Sequence, residues 1–192
     1  MIKLQLPVSE QDVRQLKVGD EVSLTGIMLT GRDAAHVWMT EESPDEIRDL
    51  LKGTVIYHCG PVVEKIDGKW IFLAAGPTTS IREEPYQGDV LKEYGLRGVI
   101  GKGGMGDMTL MALKDHGAVY FHAIGGAATL LAKSVIKVKD VIKLEDFGVP
   151  EAMWVIEVKD FPVVVSMDSH GNSLHKNMEV KSKKVANELL GI

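Results

Sequence analysis

The sequence predicts an α/β fold with a mixed sheet and flanking helices, and three observations support this prediction. Short apolar runs with strand-like alternation are interleaved along the chain with stretches of helical periodicity. The 192 residues contain no internal repeat and no linker-like segment, so we expect one domain over residues 1–192. The composition, 45% hydrophobic and 26% charged residues, is that of an ordinary globular protein.

The first third of the chain predicts three strands and three helices. Apolar alternation indicates strands over residues 3–7, 21–29 and 54–59. A capping-box pattern at residues 9–12 predicts a brief helix that ends at Gly19. Two more helices are expected over residues 34–39, at the exit of the second strand, and over residues 43–51, where Ser-Pro and early acids favour a helix start.

A hairpin is predicted next. Residues 62–66 and 69–75 read as strands joined by a turn at Asp67 and Gly68. The apolar run at residues 70–73 predicts that the second strand is buried, and Gly76 with Pro77 ends it abruptly.

The second half of the chain continues the alternation of strands and helices. We expect strands over residues 96–100, 118–122, 151–158 and 162–167. Helices are predicted over residues 89–94, 107–115 and 125–135, and a polar, amphipathic helix over residues 176–190.

Three glycine-flanked loops, each after an apolar run, present one cation apiece. Arg32 lies in residues 30–33, Arg82 in residues 74–82 and Lys102 in residues 101–105. The second loop also carries the hydroxyls of Thr78 and Thr79. Because ligand groups collect at strand ends in α/β proteins, the three cations predict a site for a small di-anion.

Composition excludes several other classes of function. A net charge of −5 provides no general nucleic-acid footprint, and no apolar run is long enough to span a bilayer. The first residues lack the apolar core of a signal peptide, so we expect a cytoplasmic protein. Cys59 is the one cysteine, and we expect it to be a small buried side chain; an iron–sulfur cluster needs several thiolates and would have to come from another chain.

The lysine loop supports a competing interpretation. Residues 101–106 satisfy G-x-G-x-x-G between a predicted strand and a predicted helix. A dinucleotide site also needs an acid about 20 residues further on, and none occurs between Asp115 and Asp140. A nucleotide- or anion-binding module that uses this loop remains an alternative.

Histidines near these loops have structural as well as functional explanations. His36 either packs at its helix start or orients the Arg32 loop, and Asp33 forms a surface pair with Arg32 or supports the site. His170 either completes the site or belongs to a turn held by Asx and serine hydrogen bonds. His122 ends an apolar strand and is expected to be a core residue.

Four motifs in order cover nearly the whole chain: TGRDAAH at residues 30–36, GPTTSIR at 76–82, GKGGM at 101–105 and SHGN at 169–172. This set resembles the β subunit of class I fumarate hydratase, which also forms the C-terminal half of the single-chain enzymes. The L(+)-tartrate dehydratase β subunit shares the pattern and is the alternative.

The resemblance implies a swivelling β/β/α domain and a hydro-lyase that interconverts L-malate and fumarate, a reaction of the tricarboxylic acid cycle. It also implies an α subunit carrying a [4Fe-4S] cluster, in a homo-oligomer of αβ units, with no metal ligand in this chain.

By the same resemblance Thr78 transfers the proton, and the substrate dicarboxylate is bound by Arg32, Thr79, Arg82 and Lys102. Supporting positions are Asp33, His36, Gly101, Gly103 and His170. One departure is visible, because the family usually has methionine where this chain has Glu83.

Overall fold

The fold was analysed in a computed structural model that describes residues 1–191, with nine strands and eight α-helices in that range. The strands are β1 (Ile2–Gln5), β2 (Glu21–Thr30), β3 (Val55–Tyr57), β4 (Val62–Ile66), β5 (Lys69–Ala74), β6 (Gly98–Gly101), β7 (Val119–His122), β8 (Val135–Ile142) and β9 (Met153–Met167). The helices are α1 (Glu10–Val13), α2 (Asp33–Glu42), α3 (Arg48–Leu51), α4 (Glu84–Tyr94), α5 (Asp107–His116), α6 (Ala128–Lys133), α7 (Leu144–Phe147) and α8 (Leu174–Leu190). Two 3-10 turns, Asp45–Ile47 and Ser80–Glu83, precede α3 and α4.

Seven strands form one mixed sheet in the order β1-β2-β3-β6-β7-β9-β8. Neighbours from β1 to β7 are parallel, whereas β9 is antiparallel to β2, β7 and β8. Because β9 pairs with β2 as well as with β7, the five strands β2, β3, β6, β7 and β9 close on themselves. The parallel strands therefore end together at one rim of a closed sheet.

Side chains of the parallel strands alternate between two apolar cores. On β3, Val55 and Tyr57 join the core that contains Trp154, whereas Ile56 joins the core beneath the helices. The second core includes buried residues of α2, α4 and α5. The predicted α/β domain with a mixed sheet and flanking helices is confirmed.

The strand β9 corrects one prediction. The predicted strands at residues 151–158 and 162–167 are a single strand of 15 residues. Asp160 has a φ of 51°, and its N–H donates to Oγ1 of Thr25 at 3.1 Å. The strand thus bends at Asp160 without ending, since its neighbour β2 continues to pair on both sides of the bend.

The β4–β5 hairpin is a separate two-stranded sheet, and the predicted burial of its second strand is wrong. Asp67 and Gly68 both have positive φ, as the predicted tight turn requires. Phe72 packs 5.8 Å from the Trp154 ring, but Ile71 and Leu73 are 42% and 46% exposed. The hairpin is half-exposed because only one of its faces packs on the main core.

The bounds of several other helices and strands differ from the predicted ones. The helix predicted from residue 9 ends at Val13, although Ser9 accepts a hydrogen bond from the Asp12 N–H as a cap. The helix predicted over residues 43–51 is a 3-10 turn followed by α3, and the helix predicted over residues 125–135 is limited to α6. The edge strand β8 and the short helix α7 were not predicted from the sequence.

The last helix, α8, begins at Leu174, two residues before its predicted start, and Ser173 caps it by accepting from the Lys176 N–H. It contains no buried residue. Among residues 1–191, no helix combines the length and the apolar character that crossing a bilayer requires.

Candidate functional site

The three cation loops converge at the rim where the parallel strands end. The Arg32 loop follows β2 and the Lys102 loop follows β6, so parallel pairing places both at the same rim. The threonine loop arrives from the hairpin and is fixed by backbone bonds. The Thr78 N–H donates to the His58 carbonyl at 2.6 Å, and the Lys102 N–H donates to the Thr78 carbonyl at 3.2 Å. A parallel bridge between Thr79 and Lys102 adds a further link.

Two of the three predicted cations meet at one carboxylate. Oδ2 of Asp33 lies 2.5 Å from Nη2 of Arg82 and 3.8 Å from Nη2 of Arg32. Arg32 also pairs with Glu151, whose Oε1 is 3.1 Å from its Nη2. Asp33, predicted as a supporting residue, therefore joins loops that are 49 residues apart in the sequence. This pairing shows that both guanidinium groups reach a single carboxylate.

Glycines at this rim leave room for side chains of the site. A Cβ on Gly60 would overlap Nη1 of Arg32, so this position has to remain bare for the arginine to cross it. A Cβ on Gly101 would overlap Oγ of Ser80, and Gly103 has a φ of 81°, which favours glycine. Sequence reasoning singled out Gly101 and Gly103, but it did not identify Gly60.

A buried polar network beneath the threonine loop was not found from the sequence. Nδ1 of His58 is 2.8 Å from Oγ of Ser80, which also accepts a hydrogen bond from the Tyr120 hydroxyl at 2.9 Å. The Ser80 N–H donates to the carbonyl of Lys102 at 3.1 Å. The network therefore ties the threonine loop to the lysine loop from below. The available signal was a histidine directly after the apolar residues of β3.

His36 and His58 share one amide partner. Oε1 of Gln87 is 3.3 Å from Nε2 of His36 and 2.9 Å from Nε2 of His58. Nδ1 of His36 is 2.9 Å from the carbonyl oxygen of Arg32, which only accepts, so this nitrogen carries a hydrogen. Burial lowers the pKa of both histidines, which favours neutral rings.

Neutral histidine rings determine the orientation of the Gln87 amide. With its hydrogen on Nδ1, a neutral His36 needs a donor at Nε2. A half-turn of the Gln87 amide exchanges its oxygen and nitrogen, so that its two N–H groups serve both rings. Nδ1–H of His58 then donates to Ser80, and the oxygen of Gln87 takes the position in which its nitrogen had no partner. His36 thereby supports the Arg32 loop through the backbone.

Glu83 lies beside this network as a buried carboxyl. Its side chain is 0% exposed, and its Oε2 is 4.0 Å from Nδ1 of His36. Burial raises the pKa of Glu83 to about 7, the Asp33 carboxylate adds to the rise, and the Arg82 cation opposes it. Among residues 1–191, neither carboxyl oxygen has a hydrogen-bond partner.

The lysine loop does not present a free helix start to a phosphate. The Glu84 carboxylate accepts hydrogen bonds from the Gly106 N–H at 2.7 Å and from the Thr109 N–H at 3.1 Å. These groups are part of the N-terminus of α5, where a phosphate would bind in a dinucleotide site. A side chain of the protein thus takes the place of the phosphate, which disfavours the nucleotide alternative.

His170 lies away from the cation loops. The strand β9 runs antiparallel to β7, so its end, with the turn at residues 168–172, lies towards the opposite rim. Nε2 of His170 donates to the carbonyl of Arg14 at 2.9 Å, and the Asp168 carboxylate accepts from the His170 and Asn172 N–H groups. In this structure His170 therefore belongs to a hydrogen-bonded turn, which is the structural explanation given above. His122 is half-buried, and its buried Nδ1 has no partner within residues 1–191.

The residues of this chain do not fit an iron–sulfur cluster. Cys59 is fully buried, and burial raises the pKa of its thiol to about 12, so it stays protonated. In the part of the chain that the structure describes, no group of three or more His, Cys, Asp or Glu residues is placed to hold a metal ion. Because an iron–sulfur cluster is held by cysteine thiolates, the protonated thiol of Cys59 does not suit one.

A family model and similar relatives point to the same protein family. A family model described as fumarase C-terminus matches residues 1–178. The chain is 56% identical over 184 residues to a Geobacillus stearothermophilus protein provisionally named a class I fumarate hydratase; the match covers 95% of this chain and 35% of that protein.

Two further relatives are named as β subunits of L(+)-tartrate dehydratase. A Methanocaldococcus jannaschii protein provisionally named L(+)-tartrate dehydratase subunit beta is 40% identical, with 96% of both chains covered. The L(+)-tartrate dehydratase subunit beta of Escherichia coli K12 is 38% identical, with 89% of this chain and 85% of that protein covered. The chain thus spans about a third of the Geobacillus relative and most of the other two.

Proposed function

Because the chain belongs to the fumarase C-terminus family, we propose that it is the β subunit of a hydro-lyase that interconverts L-malate and fumarate. The observation that carries this proposal is the shared carboxylate of Asp33, which both Arg32 and Arg82 contact. Both guanidinium groups contact the same oxygen, Oδ2 of Asp33, and a substrate carboxylate can be bound by the same two groups. Lys102, held against the Thr78 loop, supplies the third cation for a dicarboxylate.

The chemistry requires charge stabilisation at one carboxylate. Dehydration removes a proton from the carbon next to a carboxylate while the hydroxyl leaves the neighbouring carbon. Negative charge builds on that carboxylate in the transition state, and pre-positioned cations stabilise it. In this proposal Arg32, Arg82 and Lys102 hold the two carboxylates, and Thr79, which is exposed, contributes a hydroxyl.

Thr78 transfers the proton in this proposal. Its backbone is held on both sides, through its N–H to His58 and through its carbonyl to Lys102, so the hydroxyl is presented from a fixed loop. A threonine hydroxyl is a weak base, and a partner side chain has to complete the transfer. Asp33, His36, Gly101 and Gly103 support the loops, as the contacts of each indicate.

We assign the [4Fe-4S] cluster to an α-subunit partner, because the thiol chemistry of this chain does not suit one. Two large apolar side chains beside the loops support a protein partner at this rim: Ile81 is 50% exposed and Ile124 is 60% exposed. The proposal includes one swivelling β/β/α domain over residues 1–192 and an oligomer of αβ units in the cytoplasm.

The alternative is an L(+)-tartrate dehydratase β subunit. It is favoured by the coverage of the Methanocaldococcus jannaschii relative, which matches this chain over nearly the full length of both. The two substrates differ by one hydroxyl group, so the same cations serve either. Product analysis separates them, because dehydration of tartrate yields oxaloacetate, whereas dehydration of malate yields fumarate.

The experiment is anaerobic co-production of the chain with a cysteine-bearing partner, followed by assays with malate, fumarate and tartrate. We expect turnover of malate and fumarate, with a loss of at least about 100-fold in kcat for Thr78→Ala, which is the scale of a lost proton-transfer group. Ser182→Ala removes an exposed hydroxyl from α8 and is the matched control. A stable complex that dehydrates no diacid, or full turnover by Thr78→Ala, contradicts the proposal.

A further inference from the structure

Glu83 is a buried acid directly behind the cations of the site. It ends the 3-10 turn Ser80–Glu83 and follows Arg82 in the chain. Its side chain is fully buried, and within residues 1–191 neither of its oxygens accepts a hydrogen bond. A buried ionised carboxylate without partners is unfavourable, so the protonated form is stabilised. This acid is not needed to hold the fold together by hydrogen bonds.

Both signs of charge face Glu83 from the neighbouring elements. Carboxylates of Asp33 on α2 and Glu151 before β9 oppose its ionisation, while the guanidinium groups of Arg32 and Arg82 favour it. His36 on α2 is the remaining titratable neighbour, 4.0 Å away, and burial keeps it neutral. Burial and the carboxylates of Asp33 and Glu151 therefore favour the proton on Glu83, whereas the two arginines oppose it.

We propose that Glu83 takes up a proton when a dicarboxylate binds to Arg32 and Arg82, and thereby links the affinity of the site to pH without touching the ligand. This inference rests on the proposed function for the identity of the ligand class. Glu83 acts as an affinity-tuning residue, not as a catalytic residue.

The direction of the coupling follows from charge. A bound dicarboxylate brings two negative charges to the arginines whose positive charge favours ionised Glu83, so the ionised form loses its support. One proton passes from solvent to the Glu83 carboxylate, and no bond in the ligand changes. The pKa of Glu83, about 7 before binding, therefore rises on binding. His36 cannot take this proton readily, because burial disfavours its charged form.

Linkage gives the expected dependence on pH. Binding that takes up a proton weakens as pH rises above the free-state pKa, by at most about tenfold per pH unit. Below that pKa Glu83 is already protonated, and affinity becomes independent of this group. Methionine has no proton to exchange, so Glu83→Met removes the coupling and keeps an apolar filling of the space.

The first arm of the test observes the carboxyl group itself. Carbon-13 NMR of the full chain labelled in glutamate carboxyls follows Glu83 from pH 5 to 9, assigned by the signal lost in Glu83→Gln. We expect a midpoint near 7 that moves upward when malate is added as the probe. An ordinary glutamate midpoint, or a midpoint that malate does not move, overturns the inference.

The second arm measures KM for malate and kcat against pH in the assembled enzyme. For the unaltered protein we expect KM to rise with pH above 7, and for Glu83→Gln and Glu83→Met a flat KM over that range with an unchanged kcat profile. Glu64→Gln, an exposed acid on β4, is the matched control and should retain the unaltered profile. If both Glu83 variants turn over malate with the same dependence of KM on pH as the unaltered protein, the coupling is refuted and the proposed function stands. Absence of turnover refutes the function, while the NMR arm still decides the coupling.

Discussion

Replacing Glu83 by Gln should make the stability difference between variant and parent depend on pH. The pKa of Glu83 is raised by burial from its ordinary value of 4.5 to about 7. The folded state therefore holds this proton more tightly than the unfolded chain does. The stabilisation from this proton is complete below pH 4.5 and is lost as pH rises to about 7. Above that pH, Glu83 makes no further pH-dependent contribution to the free energy of unfolding.

The size of the effect follows from the same two pKa values. They differ by about 2.5, and each pH unit corresponds to about 1.4 kcal/mol, so the parent should lose about 3 kcal/mol relative to Glu83→Gln between pH 4 and pH 8. Glutamine has nearly the same shape and no titrating proton. The free energy of unfolding in urea, measured at several pH values for both proteins, gives the difference directly.

Contributions of the other ionisable groups cancel in the difference, because both proteins contain them. Glu64→Gln, exposed on the hairpin, controls for the loss of one acid and should show a nearly constant difference. A Glu83→Gln difference that stays within about 0.5 kcal/mol over the whole range would mean that Glu83 titrates normally, and the burial argument would be wrong.

Two further substitutions test the geometry of the rim. Gly60→Ala places a methyl group where Nη1 of Arg32 lies. We expect KM for the dicarboxylate to rise by about tenfold or more, because a loss of roughly 1.4 kcal/mol of binding free energy gives that factor. An unchanged KM would show that Arg32 does not bind the substrate. Ser80→Ala leaves His58 without its hydroxyl partner. We expect the free energy of unfolding, measured in urea, to fall by about 1–3 kcal/mol and kcat to fall as well. Unchanged stability and kcat would show that the network does not position the Thr78 loop.

The locally encoded features were predictable from the sequence. The alternation in β2 and the apolar runs of β6 and β7 identified these strands, and Asp67-Gly68 identified the hairpin turn. Such patterns depend on neighbours in the chain, because one face of each element has to be apolar. The family resemblance, carried by four motifs, is confirmed by the match to residues 1–178.

Boundaries that depend on packing were not predictable. The bend at Asp160 looks like a break between two strands, yet β2 pairs on both sides of it and keeps β9 whole. The apolar run at residues 70–73 looks buried, but the hairpin covers the core with one face only. In both cases a distant strand, absent from the local pattern, decides the outcome.

By itself the sequence determined the α/β class, the three loops and the residue types that they carry, since these follow from local periodicity and glycine placement. Only the tertiary structure decided that Asp33 joins Arg32 to Arg82, that His58, Ser80 and Gln87 form a buried network, and that His170 lies towards the other rim. These contacts join residues that are far apart in the chain. Their burial also shifts the proton affinity of Glu83, because the free energy of a charge depends on the atoms that surround it in space.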